Sequence, residues 1–183
     1  MKTLFFTFAL LVLLAPALQA ATLTVNTTAD EFNTPSGASR SMREAVRDAA
    51  ASGDTIVFDS ALNGSTLTLT MGTEIVLGKS LTIDATSLAA GITVSGGTGS
   101  NRIFSVSSGK TVALLGLTLT GGDGAGAAST GDGGAIYNVG TLTLTGCTVS
   151  GNACAAGSGG GIFNLKTGME VSGHGCPAEW LLG

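Results

Sequence analysis

Apolar residues alternate with Thr and Ser at period two in Thr141-Leu142-Thr143-Leu144-Thr145 and again in Cys147-Thr148-Val149-Ser150, and the runs stop at Gly146, Gly151 and Asn152. Such alternation predicts strands with one face buried and one face in water. The same unit lies upstream: Val112, Leu114, Gly116, Leu117, Thr118, Leu119 and Gly121 match Leu142, Leu144, Gly146, Cys147, Thr148, Val149 and Gly151. Ile103-Phe104-Ser105-Val106 likewise matches Ile136-Tyr137-Asn138-Val139, and Gly133-Gly134-Ala135-Ile136 begins again at Gly160-Gly161-Ile162. Self-similarity at a period of about 20–50 residues, with several short strands per unit, predicts a solenoid of stacked coils. The expected fold is all-β: a right-handed parallel β-helix with one short N-terminal capping α-helix.

Strands are expected at Ile56-Val57-Phe58, Leu67-Thr68-Leu69, Ile75-Val76-Leu77, Leu81-Thr82-Ile83, Ile92-Thr93-Val94 and Ile103-Phe104. With the units already described they assign residues 54–173 to the coils. About five coils fit before Asn164, a rod about 25 Å long. Asn138 and Asn164 fall at matching corners, where side-chain amides can bond from coil to coil. Gly121 to Gly133 and Ala153 to Gly159 are small-residue stretches that read as turns rather than binding loops.

Residues 21–53 precede the first full coil. Thr22-Leu23-Thr24-Val25 reads as a strand, and a polar loop from Asn26 to Ala38 follows it. Ser41-Met42-Arg43-Glu44 is a capping box, in which hydroxyl and carboxylate satisfy reciprocal backbone donors. Met42, Ala45, Val46, Ala49 and Ala50 then recur with helical spacing, and Gly53 can end the helix. An uncovered solenoid end exposes strand edges to other chains, so this helix is expected to lay its apolar face over the opening. Arg40, Arg43, Arg47 and Asp48 would then face water; a partner-binding helix is the alternative.

Composition changes the picture in two ways. Twenty-nine Gly and 11% charged residues would suit a low-complexity chain, but 44% hydrophobic residues in strand period speak against disorder. A β-helix reconciles them, since its corners need Gly and its narrow interior holds few aromatics. The net charge of -4 and the lack of a basic stripe speak against nucleic acid as a partner. Residues 1–20 read as a secretory signal peptide, with Lys2 as the positive region, Leu4 to Leu14 as the apolar run and cleavage near Ala20. That run falls short of the roughly 20 residues needed to span a bilayer, and the mature chain has no spanning segment. Export bears on the cysteines: Cys147 aligns with inward Leu117, while Cys154 and Cys176 could pair in an oxidising compartment. Three cysteines make no disulfide framework.

Alternation persists through Met169-Glu170-Val171-Ser172-Gly173 and then fails at His174-Gly175-Cys176-Pro177. Residues 174–183, ending in Trp180-Leu181-Leu182-Gly183, form an atypical tail. The expectation is a fragment of a longer β-helix protein, with an open last coil prone to end-to-end self-association.

Arg40-Ser41-Met42-Arg43-Glu44-Ala45, with Asp54-Thr55-Ile56-Val57-Phe58-Asp59 and Leu81-Thr82-Ile83-Asp84, resembles the CSLREA domain, an N-terminal module of bacterial exported β-helix proteins. Arg40 stands where the family has Cys, and Met42 where it has Leu; the resemblance runs from about Thr22 to Asn164. Gly133-Gly134-Ala135-Ile136 is also similar to the polymorphic outer-membrane protein repeats of bacterial surface adhesins. Val149-Ser150-Gly151-Asn152 carries Val where those repeats have Phe. These resemblances imply an outer-membrane, cell-surface or secreted location and name no ligand.

Parallel β-helices include pectate lyases and polygalacturonases, so a pectate-lyase-like solenoid must be tested residue by residue for chemistry. A lyase needs clustered carboxylates and a base; Asp84, Asp123 and Asp132, with Lys79 or Arg102, are the candidates. Asp commonly serves turns instead. Gly173-His174-Gly175 matches a polygalacturonase motif without the paired carboxylates a glycosidase requires. Thr68, Thr70, Thr118, Thr120, Thr143 and Thr145 face outward and could form ladders as in ice-binding β-helices, although unequal coil lengths argue against a flat array. No catalytic, cofactor or metal residues are assigned. The function expected is an exported structural or adhesive segment whose partners are host or environmental surface glycans or proteins. The alternative is a polysaccharide-active enzyme working on the outer face of the coils.

Overall fold

The computed structural model describes residues 19–50, 53–97, 101–126, 131–154, 157–165, 169–172 and 180–182, the last two stretches as backbone strands. Residues 1–18 of the expected signal peptide and the break expected at His174 to Pro177 lie outside the described residues. The chain runs β1 (Thr22–Val25), α1 (Met42–Asp48), β2 (Thr55–Phe58), β3 (Thr66–Thr68), β4 (Ile75–Leu77), β5 (Leu81–Asp84), β6 (Ile92–Ser95) and β7 (Phe104–Val106). It continues through β8 (Thr111–Leu115), β9 (Leu117–Thr120), β10 (Ile136–Asn138), β11 (Thr141–Thr145), β12 (Thr148–Val149), β13 (Ile162–Asn164), β14 (Met169–Ser172) and β15 (Trp180–Leu182).

These strands form three sheets, ordered β1-β2-β5-β8-β11-β14, β3-β6-β9-β12 and β4-β7-β10-β13-β15. Among the described residues neighbouring strands pair in parallel, and the chain visits the first, second and third sheets in rotation, as in a parallel β-helix. Four complete turns result, from β2-β3-β4 to β11-β12-β13, where the sequence suggested about five. The difference lies at the ends: β1 extends the first sheet without a coil of its own, because α1 takes the place of the next strands. Trp180–Leu182, placed by the sequence in the tail, pairs with β13 in the register Ile162↔Trp180.

Register explains the alternation. Leu23, Ile56, Ile83, Leu114 and Leu144 occupy one inward column of the first sheet and are all buried. Leu67, Val94, Leu119 and Val149 make the matching column of the second sheet, and Ile75, Phe104, Ile136 and Ile162 that of the third. Cys147 is buried as expected, its Sγ 3.2 Å from Leu114 O. In the third sheet the sequence alignment is off by one: Phe104, not Ile103, lies beside Ile136. Ile103 aligns instead with Ala135, whose carbonyl accepts from both Ile103 N and Phe104 N. The register therefore puts Asn138 beside Val106 in an inward column, where its amide donates to Asn164 Oδ1 at 2.6 Å. That bond is the expected corner ladder, and Asn138 Oδ1 accepts from Gly140 N.

The turns between coils are more tightly held than small residues alone suggest. A Cβ on Gly134 would collide with the carbonyls of Gly160 and Ala153, so adjacent coils touch backbone to backbone there. Gly116 and Gly146, equivalent in successive coils, both have positive φ, at 68° and 62°. Only glycine adopts that conformation without strain.

The helix starts as its capping box dictates. Ser41 Oγ accepts from Glu44 N, and the Glu44 carboxylate accepts from Ser41 N and, on its other oxygen, from Asn33 N. Its end differs from expectation: α1 stops at Asp48 with Ala49 as C-cap, four residues before Gly53. Ala49 N still donates to Ala45 O, after which the chain turns extended, and Lys79 Nζ donates to the carbonyls of Arg47 and Ala49. That side chain sets a cation at the C-terminal end of the helix, where it bonds the last carbonyls and suits the helix dipole. Met42, Ala45, Val46 and Ala49 are buried, and α1 packs on β1 and on β4, the edge strand of the third sheet. Met42 meets Leu67, Leu69 and Ile75 around one small cavity, so the helix closes the core at its first coil.

The register makes a direct test. Leu144→Asp places an unpaired charge in the Leu114 column and should cost about 4 kcal/mol or more, whereas Thr143→Asp on the outer face should stay within about 0.5 kcal/mol. Urea denaturation of the two variants checks this; equal losses would refute the register.

Candidate functional site

The outer face of the third sheet, beside α1, carries the most differentiated surface. Its outward column reads Val76, Ser105, Tyr137 and Phe163 on neighbouring strands β4, β7, β10 and β13. The rings of Tyr137 and Phe163 stack, with centroids 5.5 Å apart and planes 8° from parallel. Ser105 brings no ring to the next position, and a cavity of about 440 Å³ opens there, bounded by Val76, Tyr137, Val139, Ser107, Ser108 and Glu74. The Ser105 side chain is 3% exposed, and its Oγ has no hydrogen-bond partner.

A second cavity of about 500 Å³ adjoins the first through Glu74 and Val76 and runs to α1. Phe32, Met71 and Val76 line it, and each is about half exposed despite being large and apolar. The two lie side by side between the cap and Tyr137, with Glu74 and Val76 lining both.

Two buried ion pairs hold the walls of these cavities. Arg102 is wholly buried; its Nη1 donates to Glu74 Oε2 at 2.5 Å, and its other nitrogens donate to the carbonyls of Gly124, Asp132 and Gly133. The guanidinium also lies 5.1 Å from the centroid of the Tyr137 ring. Arg102 thus ties the Gly-rich stretch before β10 to the sheet. Arg43, expected in water, is buried instead: it bonds Asp30 through Nε at 2.7 Å and the carbonyls of Thr73 and Glu74 through its terminal nitrogens. The reason is positional, because α1 lies across the edge of β4, whose preceding carbonyls need donors. Arg40, Arg47 and Asp48 stay at the surface, where Arg47 bonds Asp48 and stands over the Phe32 ring at 4.8 Å.

Burial works to raise the pKa of Asp30, but bonds from the Arg43 side chain and the Thr70 and Met71 amides outweigh it, so the value falls below the ordinary 3.8. Asp54 is lowered by the amides of Ala21 and Ala50, which tie β1 and the end of α1 to the first coil.

The other sequence candidates fall elsewhere. Asp84 Oδ1 accepts from the amide and hydroxyl of Thr86, and Asp123 Oδ1 from Ala125 N, both of them turn bonds. Asp132 Oδ1 accepts from Ser158 N in the next coil. Lys79 is engaged by the helix carbonyls and Arg102 by Glu74, so the structure does not gather these five into one site. Among the described residues no three His, Cys, Asp or Glu side chains stand close enough to hold a metal ion. His174 and Cys176 lie outside the described residues, while Cys154 Sγ faces Gly157 O at 3.3 Å.

The outward threonines divide. Thr66, Thr93, Thr118 and Thr148 form one in-register column on the second sheet, and Thr68, Ser95 and Thr120 another. Thr143 and Thr145 lie on the first sheet beside Ala113 and Leu115, outside any such ladder. Ser105, Glu74 and the two cavities were not singled out in the sequence. The available signal was Glu74 and Arg102 placed just before matching strands of consecutive coils, legible only once their register is known.

The fold is a parallel β-solenoid whose first coil is covered by α1 and whose third sheet, among the described residues, is recessed on its outer face. No family model matches the chain, and neither a curated protein nor a solved structure matches it. Among the described residues no helix is long and apolar enough to cross a membrane.

The depressed Asp30 value predicts an acid response. A carboxylate with a lowered folded pKa contributes stability that is complete above its ordinary value of 3.8 and is lost as pH falls through the lowered value. Asp30→Asn should therefore lower stability at pH 7 by roughly 1–3 kcal/mol, and its deficit against the parent should shrink as pH falls below about 3.8. Thermal melts of both proteins from pH 7 to pH 2 check the sign; a constant deficit would count against it.

Proposed function

We propose that this chain is an exported structural or adhesive β-helix segment of a bacterial surface or secreted protein, related to the CSLREA modules. The observation that carries the reading is where the resemblance falls: Arg40 to Ala45, its most characteristic stretch, is the start of the helix that closes the solenoid. Such a module seals one end of a stack of coils and leaves the outer faces for display. Leu4 to Leu14 behind Lys2 supply the export signal, and the Gly-Gly-Ala-Ile repeat supports a place at the cell surface or outer membrane. The partners are surface glycans or proteins.

A reporter fusion tests export. Alkaline phosphatase joined after Gly53 should be active in a bacterial host with residues 1–20 present and inactive when they are deleted; equal activity would overturn the export reading. An enzyme is tested on the refolded mature chain with polygalacturonate and calcium, where no bond cleavage is expected. Cleavage lost in Asp84→Asn or Asp132→Asn would replace the adhesive reading with a catalytic one.

A further inference from the structure

The buried acids Glu44, Asp54 and Glu74 differ in what balances their charge. Glu74 has the Arg102 guanidinium. Glu44 closes the capping box in the first turn of α1, where the backbone amides favour a carboxylate. Asp54 has neither. It is bonded at the opposite end of α1, and among the described residues its partners are backbone amides: Ala21 N donates to Oδ1 at 2.7 Å and Ala50 N to Oδ2 at 2.6 Å. Lys79 acts on it through its charge, but the Lys79 Nζ is bonded to the carbonyls of Arg47 and Ala49. Holding an ionised carboxylate out of water calls for a bonded cation as well as hydrogen bonds.

The donor to Oδ1 is the nitrogen that removal of the leader would free. Leu18-Gln19-Ala20 ends in the small residue a leader-cleaving protease needs before the cut, and Gln19, Ala20 and Ala21 are exposed. From Ala21 onward the chain belongs to the fold, since Ala21 O accepts from Thr55 N and β1 begins at Thr22. Ala20–Ala21 is therefore the last bond that can be cut without removing a group the first sheet uses.

We propose that the Ala20–Ala21 bond is the processing site of this chain, and that the amine freed there becomes the cation that pairs with Asp54. This inference rests on the export reading above and states what cleavage does to the fold. A signal peptidase adds water across the bond; the new carboxylate leaves on Ala20 with the leader. The new α-amine of Ala21, with an ordinary pKa of about 7.7–8.0, takes up a proton at neutral pH. Its nitrogen already lies at the distance of a charge-assisted bond to Oδ1. An amide contact thus becomes an ion pair that fastens β1 to the first coil and, through Ala50, to the chain leaving α1. Cleavage after Ala17 would leave Ala21 N an amide. The charged groups around the new amine are Asp54 and, beyond it, Lys79. Asp54 raises the amine's pKa, so the amine's share of stability is complete below about 7.7–8.0 and is lost as pH rises through the raised value.

The full chain is exported from a bacterial host beside two variants, Asp54→Asn and an insertion of one Gln between Ala20 and Ala21, and the products are compared by intact mass and thermal melts. The parent product should begin at Ala21. The inserted Gln is too large for the position before the cut, so that product begins at the Gln; it keeps the Ala21 amide and every side chain of the fold and displaces the charge alone. It should melt about 2–4 °C below the parent at pH 6, and the gap should close by about pH 10, where the amine is neutral. In the Asp54→Asn background the insertion should cost nothing. Circular dichroism establishes folding, and the pH dependence of the gap between parent and insertion carries the test if Asp54→Asn does not fold. Retention of the leader would overturn both the export reading and this one. A parent product that begins elsewhere, melts that coincide at pH 6, or a gap unchanged at pH 10 would overturn this proposal alone and leave export standing.

Discussion

Each coil of this protein depends on the coil beside it, because strands in a parallel β-helix find their backbone partners only along the stack. That requirement fixes the register, and the register fixes which side chains are buried. A slip of one residue would send the Thr of Leu-Thr-Leu-Thr inward and the Leu outward. The unbroken columns from Leu23 to Leu144, from Leu67 to Val149 and from Ile75 to Ile162 are the side-chain expression of that constraint. The Asn138–Asn164 bond carries it into polar positions, where amides can only be buried if they meet each other or the backbone.

A stack built this way has an exposed beginning, and the N-terminal segment answers it with charge as much as with apolar cover. Met42, Ala45 and Val46 close the core. Arg43 and Asp30 satisfy the backbone around the first turn of the third sheet: Arg43 donates to the carbonyls of Thr73 and Glu74, and Asp30 accepts from the amides of Thr70 and Met71. Taking an ion pair out of water is unfavourable unless the remaining donors and acceptors are filled, and here backbone groups fill them. Arg102 and Glu74 repeat the device one coil on, anchoring the residues before β10.

With the inner face committed to packing, the outer columns are free to differ. The second sheet displays ranked hydroxyls, the first sheet a mixture of Thr, Ala and Leu, and the third sheet an aliphatic residue, a serine and two stacked rings in order. Differences of this kind do not disturb the fold, so a solenoid can acquire a recess on one face while the others stay plain. The recess sits next to the cap, where α1 and the loop before it supply Phe32 and Arg47 as a further wall.

The sequence by itself determined the strand alternation, the repeat, the inward residues of the first two sheets and the Ser41–Glu44 helix start, because each is a local pattern that backbone geometry reads directly. Even Leu114 over Leu144 was legible, since both strands carry the same period and the same flanking Gly. Only the tertiary structure decided the rest. The third-sheet strands are three residues long and follow irregular glycine-rich turns, so nothing local distinguishes Ile103 from Phe104 as the partner of Ile136. Arg43 looks like a solvent-facing residue on a helical wheel, and it is buried because β4 happens to lie against that side of α1. The sequence alignment sets Ser105 opposite Asn138; the true register turns it outward between Val76 and Tyr137, which stand about 30 residues away in each direction and which coil stacking alone brings beside it.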